Sequence, residues 1–118
     1  MLSHTSLTER PVPWTRLITP DHARAVASTG GVIGIWPVKH ILGTYRSYAD
    51  GFAGMVDAVG IGHVGLGTDQ LGLLGASTLP SYAELPQLAA ALRARFSAEE
   101  TAKLLGGNHQ RVFAASLA

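Results

Sequence analysis

Cysteine is absent from this chain of 118 residues. That absence excludes disulfides, thiolate metal sites and a cysteine nucleophile together, and it fixes no compartment. Charge is also scarce. Charged side chains make up 14% of the chain, well below the usual quarter. With 47% hydrophobic residues, the composition excludes disorder as the main state, because disorder needs few apolar groups and many charges. The net charge of +1 gives no field that would steer nucleic acid. No cluster of Lys and Arg and no aromatic array supports RNA or DNA binding. No apolar run approaches the roughly 18 residues of a spanning helix, and the first residues lack a signal-peptide layout. The chain therefore reads as soluble, with the cytoplasm the favoured compartment. No internal repeat is present, and no GxSxG, Walker A, HExxH or EF-hand pattern occurs.

What is present is an alternation of short apolar runs and helical patterns. Met1 to Ser3 reads as a stub of strand, followed by a proline-rich loop from Thr8 to Pro13. Thr19-Pro20-Asp21 starts a helix, with a capping hydroxyl, a proline suited to the first turn and an acid at the positive end. Gly30-Gly31 stops it. Val32 to Trp36 is β-branched and reads as a buried strand. Tyr48, Phe52, Met55, Val56 and Val59 fall at helical spacing within a helix from Tyr45 to Val59. His63 to Gly67 is a third strand, and a glycine-rich loop runs from Gly72 to Ser77. Ser81 with Glu84 and Ser97 with Glu100 have capping-box spacing. The first opens a helix through Leu85, Leu88 and Leu92. The second opens one through Leu104 and Leu105 that Gly106-Gly107 ends, and Asn108 opens the last helix.

This order predicts an α/β fold with parallel strands and carboxyl-terminal helices. Three strands cannot close a barrel, and a complete (β/α)8 barrel needs about 250 residues. The pattern is that of a small open sheet or of a piece of a larger fold. The strand that begins at Met1 without a lead-in favours the piece, with residues 1–118 as one segment.

Functional groups in such folds lie at the carboxyl ends of strands. His4 follows the first strand and Asp69 the third. An imidazole there can bind zinc, and a carboxylate can bind a metal, take a proton or pair with a cationic substrate group. Taken alone, His4 reads by default as a solvated terminal histidine, and Asp69 reads equally as a turn residue accepting backbone N–H bonds. Arg16 lies in the loop after the first strand, where a guanidinium can hold a carboxylate in bidentate fashion or serve as an ordinary surface residue. His22, His40, His63 and His109 share no ligand spacing. Trp14 and Trp36 read as packing residues.

Five stretches in order resemble the carboxyl-terminal third of the membrane (renal) dipeptidase family, peptidase family M19. They are Leu2-Ser3-His4-Thr5, Arg16-Leu17-Ile18-Thr19-Pro20-Asp21, Thr29-Gly30-Gly31-Val32-Ile33-Gly34-Ile35, Val59 through Asp69, and Leu105-Gly106-Gly107-Asn108-His109-Gln110-Arg111-Val112-Phe113. The resemblance implies part of a TIM-like barrel, about its last three strand-helix units. It also implies a dipeptidase that uses two zinc ions and a metal-bound hydroxide. By the same resemblance His4 is a metal ligand, Arg16 holds the substrate carboxylate, and Asp69 contacts the substrate amino group and passes a proton. The sequence departs from the family pattern at Leu17, where the family often has asparagine. It departs again at Gln70-Leu71-Gly72, where the family carries a second aspartate. The family's other metal ligands lie upstream of the matched region. These features lead to the expectation of a dipeptidase segment that is inactive as the isolated chain and completed by a missing amino-terminal portion. The alternative is a non-catalytic remnant that acts as an oligomerising or partner-binding module.

Overall fold

The computed structural model describes residues 1–9 and 16–118. Trp14 and most of the proline-rich loop lie outside the described residues. The described residues form strand β1 (Leu2–Thr5), helix α1 (Pro20–Ser28), strand β2 (Ile33–Ile35), helix α2 (Tyr45–Val59) and strand β3 (Val64–Leu66). Helices α3 (Leu85–Arg93), α4 (Ala98–Ala102) and α5 (Asn108–Leu117) follow. The strands make one parallel sheet in the order β1-β2-β3. Ile33, Gly34 and Ile35 pair with Val64, Gly65 and Leu66, and Leu2 pairs with Ile33.

Local chemistry explains most of the boundaries. The Thr19 hydroxyl accepts the His22 N–H, with Pro20 at the first turn of α1. Thr44 and Ser47 form a reciprocal cap on α2, and Ser97 and Glu100 do the same for α4. Two sequence expectations need correction. Ser81 and Glu84 make no capping box. Ser81 Oγ accepts from Ala83 N–H at the head of a 3-10 turn (Tyr82–Glu84), while the Glu84 carboxylate accepts the hydroxyl of Tyr45. Nor does Gly106-Gly107 end its helix cleanly. A π-helical turn (Lys103–Gly107), kinked at Gly106, joins α4 to α5.

Alternation along a strand divides the sheet into two faces. Ile33, Ile35 and Val64 enter a buried cluster with Ala23 of α1, Tyr48, Phe52 and Met55 of α2, and Leu88 and Leu92 of α3. The Tyr48 hydroxyl donates to the Ile35 carbonyl at 2.7 Å, which satisfies both buried groups. Val56 and Val59, expected on the same helix face, are only partly buried.

The opposite face is narrow at one point. A Cβ on Gly34 would lie 2.1 Å from the Ser3 carbonyl oxygen, and one on Gly67 would lie 2.4 Å from the same atom. Ser3 of β1 thus touches backbone from both other chain segments. No residue with a side chain fits at either glycine without moving backbone.

The amino end of the sheet is held by side chains of α5. Buried Asn108 donates through Nδ2 to the carbonyls of Ile61 and Val64, at 2.7 and 2.8 Å. Arg111 donates to the Gly30 and Gly62 carbonyls at 3.0 and 2.8 Å, bridging the loops before β2 and β3. His63 Nδ1 lies 2.8 Å from the Gly31 carbonyl. The His109 ring packs on Gly65, where a Cβ would come within 2.3 Å of its Cε1. Burial pushes the His109 pKa below its ordinary value.

Gly34→Ala or Gly67→Ala should therefore cost roughly 2–3 kcal/mol or more, as overpacking does. Gly54→Ala, in α2 with open space at its Cβ, should stabilise by about 0.5–1 kcal/mol. Urea unfolding of the three variants checks both signs. A histidine with a lowered folded-state pKa contributes stability that is present above its unfolded value and lost on acidification. Stability should therefore fall as pH drops below 6.5, and His109→Gln should flatten that slope in unfolding curves across pH.

Candidate active site at the carboxyl end of the sheet

The close approach at Ser3 brings together the residues that follow it. His4, within β1, is next along the chain. Trp36 lies two residues beyond Gly34, and Asp69 two beyond Gly67. His4 Nε2 lies 3.7 Å from Asp69 Oδ2 and 3.4 Å from Arg16 Nη1. Ser3 Oγ lies 3.0 Å from His4 Nδ1, so one ring nitrogen is held by the chain and the other faces the acid and the guanidinium. The Trp36 ring sits 5.4 Å from the imidazole, tilted by 48°. The side chains of His4 and Asp69 are 20% and 16% exposed. They are sheltered, yet a ligand can reach them.

The described parts of the loops at this end are tied down. The buried Thr5 hydroxyl donates to the Arg16 carbonyl. Ile18 N–H donates to Ser6 O at 3.0 Å and Thr8 N–H to Ile18 O at 2.9 Å, closing the loop that carries Arg16. The segment after β3 is bridged back to the β2–α2 loop through Val38 and Ser77. Lys39 N–H donates to Ala76 O at 3.0 Å, and Thr78 N–H to Pro37 O at 2.8 Å. Asp69 and Leu71 both adopt left-handed backbone, with φ of 50° and 66°. Backbone of this kind in residues with side chains is uncommon and concentrates at functional sites. Here the Asp69 carbonyl accepts N–H bonds from Gly72 and Leu73 at 2.9 and 3.1 Å. The carboxylate occupies the place a Cβ on Gly72 would take, 2.2 Å from Oδ1.

Beside these residues is a cavity of about 300 Å³, lined by Arg16, Asp69, Trp36, Val38, His40, Leu73 and Leu74 among others. A larger hollow of about 520 Å³ lies over α2 and α3, lined by Arg46, Arg95 and three alanines. Arg95 there is committed to Asp50, and no acid, base and cation converge on it.

The structure thus unites Arg16, His4 and Asp69. His22 is exposed in the first turn of α1, and His63 and His109 serve the amino end of the sheet. Sequence reading missed Ser3 and the role of Trp36. The strand-end rule that selected His4 and Asp69 selects Trp36 when it is applied to β2.

Among the described residues no three His, Cys, Asp or Glu side chains gather to hold a metal ion. His4 and Asp69 offer two donors, and the Arg16 guanidinium beside Nε2 opposes a cation. These residues alone do not fit a metal centre.

An α/β architecture with its polar groups gathered at the carboxyl ends of parallel strands defines a class of enzyme folds. The family described as membrane dipeptidase, peptidase family M19, matches residues 1–117. The chain belongs to this family. No curated protein matches it. It is similar in structure to dipeptidase AC, a metallopeptidase of family M19, with TM-score 0.75 and 23% identity over 89% of this chain and 34% of that one. A metallopeptidase from Rhodobacter sphaeroides, liganded with a phosphinate mimic of the dipeptide L-Ala-D-Ala, gives TM-score 0.75 and 23% identity. That match covers 89% of this chain and 32% of that one. An amidohydrolase from Pseudomonas aeruginosa gives TM-score 0.74 and 18% identity, covering 92% and 43%. The chain spans less than half the length of each of these structures. Among the described residues no helix is long and apolar enough to cross a membrane.

The left-handed Leu71, 99% exposed, makes no packing contact that would offset its backbone cost. Leu71→Gly should stabilise the chain by about 0.5–1 kcal/mol, the penalty of left-handed backbone less the added freedom of the unfolded chain. A rise in the urea midpoint checks it.

Proposed function

We propose that residues 1–118 form about the last three strand-helix units of a (β/α)8 barrel, and that they contribute one side of the active site of a zinc-dependent dipeptidase. The observation that carries this reading is the convergence of Arg16, His4 and Asp69 at the strand ends in a chain of family M19. His4 serves as one metal ligand, with Ser3 on its other nitrogen to orient the ring, as outer partners do for ligating histidines. The remaining ligands come from outside these residues, from the rest of the barrel. Zinc is the metal this reading expects.

The chain's own contribution is to grip the substrate at both termini. Arg16 accepts the carboxylate of a dipeptide through paired N–H donors. Asp69 accepts hydrogen bonds from the ammonium group and is placed to take or return a proton as the amide is cleaved. The dipeptide mimic bound by the Rhodobacter sphaeroides relative supports this substrate class. The isolated chain is inactive on this reading, because it lacks the other ligands.

The test uses the chain joined to the remaining strands of its barrel. Asp69→Asn should lower kcat by about 100-fold or more and leave zinc content unchanged. His4→Ala should lower zinc content measured by atomic emission. Unchanged zinc after loss of His4 contradicts its assignment. Dipeptide turnover by the isolated chain, or by a homo-oligomer of it, contradicts the need for outside ligands.

A further inference from the structure

We infer that the cavity beside Arg16 and Asp69 is a side-chain subsite for a bulky apolar residue, the carboxyl-terminal residue of the dipeptide. This rests on the reading above, because Arg16 is taken to hold that residue's carboxylate. The side chain attached to the same carbon must then lie against whatever surrounds the guanidinium.

Those surroundings are apolar. The apolar lining comes from Trp36 and buried Val38, and from Leu73 and Leu74 of the segment after β3. Among the described residues the lining side chains that carry or can carry charge are Arg16 and Asp69, which are assigned to the substrate termini, and the exposed His40. A charged or strongly polar substrate side chain would lose its water here without a partner, which is costly. An apolar one would cover surface that now faces water. Leu74 is fully exposed, and Leu73 is half-buried. The wall is also held in place. The Asp69 carbonyl binds the Leu73 N–H, and the Val38–Ser77 bridge anchors the far end of the segment. The subsite is therefore largely formed before a ligand arrives, as small-molecule sites usually are.

The test is a binding titration of the 118-residue chain with glycylphenylalanine, glycylglycine and glycylglutamate, followed by ligand-observed NMR. Glycylphenylalanine, in at least one enantiomer, should bind at least about tenfold more tightly than glycylglycine, the scale of apolar discrimination in a pocket. Glycylglutamate should gain nothing over glycylglycine. In the variant L73S/L74S the advantage of phenylalanine should vanish while glycylglycine affinity stays unchanged. Leu74 is exposed, so L74S alone keeps the fold and should remove part of the advantage. Arg16→Ala should weaken all three dipeptides.

Equal affinity for the three dipeptides, with Arg16→Ala still weakening them, overturns the subsite and leaves the reading of Arg16 standing. A phenylalanine preference that survives L73S/L74S also overturns it. A preference that needs the leucines but ignores Arg16→Ala overturns the role of Arg16, and with it the assignment to the carboxyl-terminal residue. No saturable binding of any dipeptide overturns both.

Discussion

The contact on which this structure depends is the carbonyl of Ser3 resting against Gly34 and Gly67. It is a contact of backbone with backbone, possible only where neither partner has a side chain. It draws the carboxyl ends of the three strand segments together. Beyond it, His4 meets both Trp36 and Asp69. A methyl group at either glycine would splay the strand ends and pull the acid from the imidazole, before any residue of the site was itself changed.

The two ends of the sheet do different work. At the amino end, Asn108, Arg111 and His63 spend their hydrogen-bonding capacity on backbone carbonyls. They close the loops before β2 and β3. At the carboxyl end His4 meets Asp69 and Arg16 beside an open cavity, and among the described residues left-handed backbone in residues with side chains falls there, at Asp69 and Leu71. That division, stability at one end and chemistry at the other, is the one expected of parallel β/α folds. It gives the carboxyl end its claim to be the site independently of any relative. The chain belongs to family M19, and among its described residues no three donors gather to hold a metal ion.

Much of this was legible in the sequence. The β-branched run after Gly31 marked β2, the short apolar run ending at Gly67 marked β3, and the cap at Thr19 and the capping box at Ser97 marked α1 and α4. All are local signals, and local physics decided the outcome. His4 and Asp69 were legible because a strand's carboxyl end can be read from the strand itself. What was not legible depends on partners distant in the chain. Glu84 has a capping-box position, but Tyr45, 39 residues away, takes its carboxylate. Gly106 and Gly107 look like a stop, yet packing of Leu104 and Asn108 carries the chain on through a kink. Trp36 has the composition of a core residue, and only the approach of β1 to β2 turns it toward His4. The meeting of Arg16 with His4 likewise rests on Thr5 holding the Arg16 carbonyl, a tie that no spacing rule announces.

The central claim is that Arg16, at the carboxyl end of this sheet, reads the carboxylate of a dipeptide. The most direct measurement compares the affinity of the chain for a dipeptide and for its carboxyl-terminal amide, before and after Arg16→Ala. The wild-type chain should prefer the free acid by about tenfold or more, the worth of a charge-assisted bidentate contact. Arg16→Ala should remove this preference while leaving the amide's affinity nearly unchanged. Equal affinity for acid and amide in the wild-type chain, or a preference that persists without Arg16, would contradict it.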